Sequence, residues 1–180
     1  MDLPLVFVEL LIIVAYLLRY RLFHKKTYIL FDRIKFTFSP AWKMVFIPVM
    51  ALFVTWFFWK MYMLYLFQVF TPFQINLDFI IEYVILAPIA EGILLALILS
   101  MLFLIINKTF TDRWLITGCY AVSIIVLSFV IAILHKPPYE MSLFVRFVTF
   151  NLYSMIYYYT EENLPSIIIP HATWNSLLML

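Results

Sequence analysis

Apolar residues run through this chain in long blocks separated by short polar turns. A helix that crosses a bilayer needs about twenty mainly apolar residues, and that length fits roughly six times along the sequence. The blocks predict helices near Leu3 to Leu18, Met44 to Phe70, Phe79 to Ile106, Trp114 to Leu134, Ser142 to Thr160 and Ser166 to Leu180. The first and last are short for a full crossing and are expected to tilt, embed partly or extend at their ends. The first, MDLPLVFVELLIIVAYLLRY, has no basic residues ahead of its apolar stretch and no small-residue cleavage site, so a retained span is expected rather than a secretory signal.

Composition agrees with this reading. Hydrophobic residues make up 66% of the 180 and charged residues only 12%, more apolar surface than a soluble domain of this size can bury. The expected class is therefore all-α, a polytopic membrane helical bundle lying in the cell membrane. Cys119 is the single cysteine, so no internal disulfide holds the fold. No period of twenty to fifty residues recurs, which excludes repeat architectures.

Charge supplies the orientation. Between the first two spans lies RYRLFHKKTYILFDRIKFTFSPAWK, rich in Lys, Arg and aromatic residues, expected as a cytoplasmic, headgroup-facing amphipathic segment. Later loops carry far fewer basic residues, with Lys108 and Arg113 after the third span and Lys136 after the fourth, so the N-terminus is expected outside. Nothing divides the chain into separate parts. Residues 1–180 are read as one integral membrane domain, with 1–77 its N-terminal spans and basic loop and 78–180 its chemical core.

An ionisable group inside the hydrocarbon region costs roughly 2.5 to 3.5 kcal/mol on insertion scales, so such groups mark function or pairing. Lys60 has a long stem that can reach an interface. Glu82, beside Asp78 at the start of the third span, is expected at an interface or as a helix N-terminal carboxylate, where the dipole favours negative charge, and Arg146, near the start of the fifth, is expected at an interface. Glu161 and Glu162 are expected as solvated turn residues. Glu91, in APIAEGILLALILSMLFLII, lies deep in its span, where it serves either as a structural carboxyl bonded to a neighbouring helix or as a catalytic one. Gly92, Ala96 and Ser100 recur every four residues and form a ridge of small side chains where another helix can come close.

His171 and Asn175 stand four residues apart and share one helix face. A histidine can donate, accept or take a proton and an amide donates without changing charge, so the pair suits either an oxyanion or an interhelical hydrogen bond. His135 closes the fourth span ahead of two prolines. Together, Glu91, His135 and His171 with Asn175 lie on three separate spans. Glu and His around one water can act as a base pair for hydrolysis. Were a metal held instead, Glu91, His135 and His171 would be its ligands; no cofactor is favoured, and zinc is the candidate if there is one.

These residues resemble the motifs of the CPBP family, the CAAX-type prenyl endopeptidases and bacteriocin-processing or immunity membrane proteins, also called the Abi family. Its first motif, Ala-Pro-Ile-x-Glu-Glu-x-x-Phe-Arg, resembles Ala87 to Ala96; its second, an apolar or aromatic residue shortly before a His, resembles Ile131 to His135. Its third, Asn-Leu followed by His-x-x-x-Asn, resembles Asn163 and Leu164 followed by His171 and Asn175. The resemblance implies an intramembrane endopeptidase in which Glu91 and His135 activate water while His171 and Asn175 stabilise the oxyanion. Its substrate would be a peptide or a prenylated or membrane-associated protein, with the lipid bilayer as surroundings and no nucleic-acid partner. The chain departs from the motif where Gly92 and Ala96 replace the second Glu and the Arg, a helical ion pair exchanged for close packing. That departure leaves a weakened or inactive member, or a non-catalytic protein of bacteriocin immunity or peptide binding, as the alternative.

Overall fold

The computed structural model describes residues 3–18, 33–36, 77–135 and 143–179, together with positions 46, 49–50, 53–54 and 56–57. The expected second span, with Lys60, lies outside the described residues apart from those scattered helical positions. So does most of the basic loop.

Every regular element described is helical, as the apolar blocks predict. They are α1 (Leu3–Leu17), α2 (Ala87–Thr109), α3 (Arg113–Leu134), α4 (Leu143–Tyr159) and α5 (Pro165–Met179). A single turn, Leu77–Phe79, and a π-helical segment, Ile80–Leu86, run straight into α2. Ile80–Thr109 and Arg113–Leu134 are each long and apolar enough to cross a membrane, and Val6–Leu17 is a shorter apolar helix. For the five expected spans that lie among the described residues, with the π-helical segment counted as part of the third, boundaries fall within three residues of those expected from hydropathy.

α2 is the axis of the molecule. α1, α3 and α5 pack against it most extensively, α4 less so, and α3 and α4 form the largest helix pair. The α2–α3 hairpin turns through residues 110–112, where the Asp112 carboxylate accepts from the Leu115 N–H at 2.8 Å and caps α3. Just inside that turn Phe103, Tyr120 and Tyr158 pack tilted and edge-on against one another, with ring centroids 4.4 to 5.8 Å apart, tying α2, α3 and α4 together.

The π-helical segment follows from Pro88. A proline inside a helix clashes with the carbonyl four residues back, here Val84, and a wider turn relieves the clash. In the wider register the carbonyl five residues back, Tyr83, would look to residue 88 for an N–H that proline lacks. The Asn175 side-chain amide donates to that Tyr83 carbonyl instead, at 2.6 Å, so α5 is fastened to the turn that precedes Glu91. Glu82 takes the expected place in the first turn of the π-helical segment and corrects only the interfacial alternative. It is 1% exposed, because α1 and α5 both pack on the π-helical segment and carry it into the bundle.

The small-residue ridge receives α5. A Cβ at Gly92 would stand 3.0 Å from Ile168 Cγ1 and 3.5 Å from Ile167 Cγ2, while Ala96 and Ser100 are fully buried. At the far end of the ridge the α4–α5 turn corrects a second expectation. Glu161 is exposed, but Glu162 is half-buried in a network: Arg33 Nε donates to its two carboxylate oxygens at 3.0 and 3.1 Å, Arg33 Nη2 donates to one of them, and Ser100 Oγ donates to the other. Ser100 Oγ also lies 2.8 Å from Tyr157 Oη. The backbone explains why the two glutamates part company: both have positive φ, 57° and 64°, a left-handed double turn that swings one side chain out and the other in. Lys35 holds the same turn from outside. Its N–H donates to the Glu162 carbonyl, its carbonyl accepts from Leu164, and its ammonium donates to Glu161 at 2.6 Å, which holds that carboxyl below its ordinary range.

Candidate active site

Glu91 sits one turn beyond Pro88 on α2, and the two histidines reach it from other helices. Glu91 Oε1 lies 3.8 Å from His135 Nδ1, and Oε2 lies 3.7 Å from His171 Nε2. Both separations exceed a direct hydrogen bond, and a water at the apex of either triangle would lie within hydrogen-bond reach of carboxylate and imidazole alike. Glu91 Oε2 is buried and bonded to no protein atom, as such a bridging role requires.

α4 supplies the walls that orient the imidazoles. Phe150 stands edge-on to His135 with centroids 5.2 Å apart, and Tyr153 lies against the His171 ring at 5.2 Å. Arg146, one turn before Phe150, donates from Nη1 to the His135 carbonyl and so closes the C-terminus of α3, where a cation is favoured. That contact gives Arg146 a place at the site instead of the plain interfacial one expected. His171 is 5% exposed and Asn175 6%, whereas Glu91 and His135 border a cleft of about 270 Å³ lined by Leu94, Ile98, Ile131, Leu134 and Phe150. Leu94, Ile98 and Leu134 are themselves exposed on the flank of the bundle, so the cleft opens sideways between α2 and α3.

Hairpin arithmetic accounts for the meeting of Glu91 and His135. Counted from Thr111 in the turn, Glu91 is twenty residues back and His135 twenty-four onward. At about 1.5 Å per residue they stand within about 6 Å of the same height. α5 runs antiparallel to α2, with Glu162 beside Ser100, Ile168 beside Gly92 and His171 beside Glu91.

Of the sequence-derived set, Glu91, His135 and His171 converge, and Asn175 lies one turn beyond His171 with an amide hydrogen already given to Tyr83. The donor types a zinc ion would need are present, but the imidazoles address opposite carboxylate oxygens, and among the described residues no three His, Cys, Asp or Glu side chains form a metal-holding group. Sequence reasoning passed over Glu9. It interrupts the apolar run of α1 in VFVELLII, is 4% exposed, and carries the signal, a lone carboxyl within a span, that singled out Glu91.

Compared with family models, curated proteins and solved structures, the chain matches none.

Proposed function

We propose that this chain is a multi-pass integral membrane protein of about six spans, and that it hydrolyses a peptide bond of a membrane-associated peptide or protein within the bilayer. The observation that carries the reading is the convergence of one carboxylate and two imidazoles from three helices, 3.7 and 3.8 Å apart, beside an apolar cleft. The outer face of α3 supports the membrane assignment, since Val122, Ile125, Val126, Phe129, Val130 and Ile133 are each at least 44% exposed. A surface so apolar suits lipid and not water.

In this mechanism Glu91, with His135, takes a proton from a water, and the water oxygen attacks the peptide carbonyl. His171 Nε2, with the Asn175 amide one turn beyond it, binds the oxygen as it becomes negative. The proton then passes to the leaving amine and the C–N bond breaks. The lateral cleft admits an apolar segment directly from the bilayer. The resemblance to CPBP endopeptidases points the same way, and the mechanism needs no metal. Stoichiometric zinc in purified protein, removed by a chelator together with activity, would replace this mechanism with a metal-assisted one.

The test compares peptides released from membranes of cells carrying the wild type, Glu91→Gln or His171→Ala. Peptides present with the wild type and absent with both variants, at equal protein levels, support hydrolysis. A second reading, a non-catalytic peptide-binding or bacteriocin-immunity protein, is favoured by the engagement of Asn175 with Tyr83 and by the burial of Gly92 and Ala96 beneath α5. A phenotype that survives both substitutions, with no peptide lost, selects it.

A further inference from the structure

Hydrogen bonding does not fix the two imidazoles of the site. Among the described residues no hydrogen bond reaches the ring of His135 or of His171, and their approaches to Glu91, at 3.8 and 3.7 Å, exceed hydrogen-bond length. An imidazole placed for chemistry is ordinarily oriented by a partner on its other nitrogen, so these two rings need a different support. Aromatic contacts supply it. Phe150 stands edge-on to both imidazoles, with centroids 5.2 Å from His135 and 6.4 Å from His171 and an interplanar angle of 78° in each case. Edge-to-face pairs attract when their centroids are about 4.5 to 7 Å apart, because the positive rim of one ring meets the negative face of the other. The Phe150 ring is itself held edge-on by Tyr153 at 6.1 Å.

We infer that Phe150 is a positioning residue shared by the two imidazoles, one buried ring that fixes the directions of His135 and His171 toward Glu91 together. Phe150 is 6% exposed, so its own ring has little freedom. It belongs to a stripe on α4 in which Arg146, Phe150 and Tyr153 recur at helical spacing on one face. Arg146 donates to the His135 carbonyl and Tyr153 lies against the His171 ring, so the same face holds the backbone of one histidine and the side chain of the other. Phe150 also lines the cleft that Glu91 and His135 border. A hydrogen-bonding residue in its place would leave a polar group in the path of an apolar segment, a desolvation cost that an aromatic edge avoids. The inference rests on the hydrolytic reading for its consequence and not for its geometry.

The chain has three histidines, His24, His135 and His171, so histidine labelling gives a spectrum simple enough to read each ring. The experiment uses full-length protein in lipid bilayers with ring-labelled histidine, and solid-state magnetic resonance measures the carbon–hydrogen dipolar coupling of each imidazole. Signals are assigned by their loss in His135→Gln and His171→Gln. Wild type is compared with Phe150→Leu, with Phe150→Tyr, which keeps the ring, and with Phe147→Leu, which removes a ring of the same helix that pairs with Phe129 instead. The expected squared order parameter is about 0.85 for both imidazoles in wild type, Phe150→Tyr and Phe147→Leu, and below about 0.6 for both in Phe150→Leu. Release of the Glu91-dependent peptides should fall at least about tenfold in Phe150→Leu, within the range that misplacement of a reacting group produces, and stay within about threefold of wild type in the other two. If Phe150→Leu fails to accumulate, Phe150→Met makes the same comparison. Either imidazole remaining rigid in the apolar variant overturns the inference, as does equal loosening in Phe147→Leu. Both rings loosening with peptide release unchanged overturns it too, while loosening in a protein whose wild type releases no peptide leaves the aromatic hold standing and sinks the hydrolytic reading alone.

Discussion

The close approach of α2 and α5 at Gly92 gives the sharpest energetic test. An added methyl at Gly92 would lie 3.0 Å from Ile168 Cγ1, well inside the 3.5 to 4.0 Å at which carbon atoms attract, and 3.5 Å from Ile167 Cγ2. Overpacking of this kind costs about 1 to 3 kcal/mol, while replacing glycine by alanine inside a helix returns about 0.8 to 1.0 kcal/mol. Gly92→Ala alone should therefore cost between about zero and 2 kcal/mol. Ile168→Ala alone should cost less than the about 2 to 5 kcal/mol of a fully buried isoleucine, since Ile168 is only partly buried. In the double variant the new methyl enters that cavity, so the two changes should be non-additive, with a favourable coupling of about 1 to 3 kcal/mol. The assay is reversible unfolding in mixed micelles, followed by circular dichroism, for the four members of the cycle. Additive costs would refute the reasoning, because they would mean that the two side chains do not share the space.

Asn175→Ala should destabilise the protein in the same assay by about 0.5 to 1.5 kcal/mol through loss of its hydrogen bond to the Tyr83 carbonyl, and the cost should shrink in a Pro88→Ala background, where residue 88 regains an N–H. Glu162→Ala should destabilise by about 1.5 to 3 kcal/mol, since it strips partners from Arg33 and Ser100 together, whereas Glu161→Gln, on an exposed pair, should lower stability far less, by a small but resolvable amount. The Lys35–Glu161 pair should show a defined pH dependence. Its carboxyl is held below the ordinary value of 4.5, so its contribution is complete above that pH and is lost as pH falls through the lowered value. Thermal unfolding of wild type and Lys35→Ala should accordingly differ at neutral pH and converge under acid.

Helix positions were legible because hydropathy alone delimits a membrane-length block, and the Gly92, Ala96 and Ser100 ridge was legible because spacing alone puts small residues on one face. The meeting of Glu91 with His135 was written in the sequence too, but in a different ruler. Depth measured from the ends of each apolar block separates the pair by about 10 Å, because the helix carrying Glu91 begins with the π-helical segment and overshoots its neighbour. Distance from the shared turn at residues 110–112 brings them to one height. Other features needed coordinates. Glu162 turns inward only because Glu161 and Glu162 both adopt positive φ and Arg33 arrives from a distant part of the chain. The tie between Asn175 and Tyr83 depends on a carbonyl that Pro88 cannot serve, and nothing in residue types alone says which side chain will reach it.

The account stands or falls on three helices meeting at Glu91, and cysteine cross-linking in native membranes reads that meeting directly. In a Cys119→Ala background, Glu91→Cys is paired with His135→Cys, with His171→Cys, or with Trp114→Cys at the opposite end of α3, and treated with a thiol cross-linker a few ångströms long. The expected result is efficient linkage from position 91 to both 135 and 171 and none to 114. Linkage to 135 and 171 no better than to 114 would contradict the shared site.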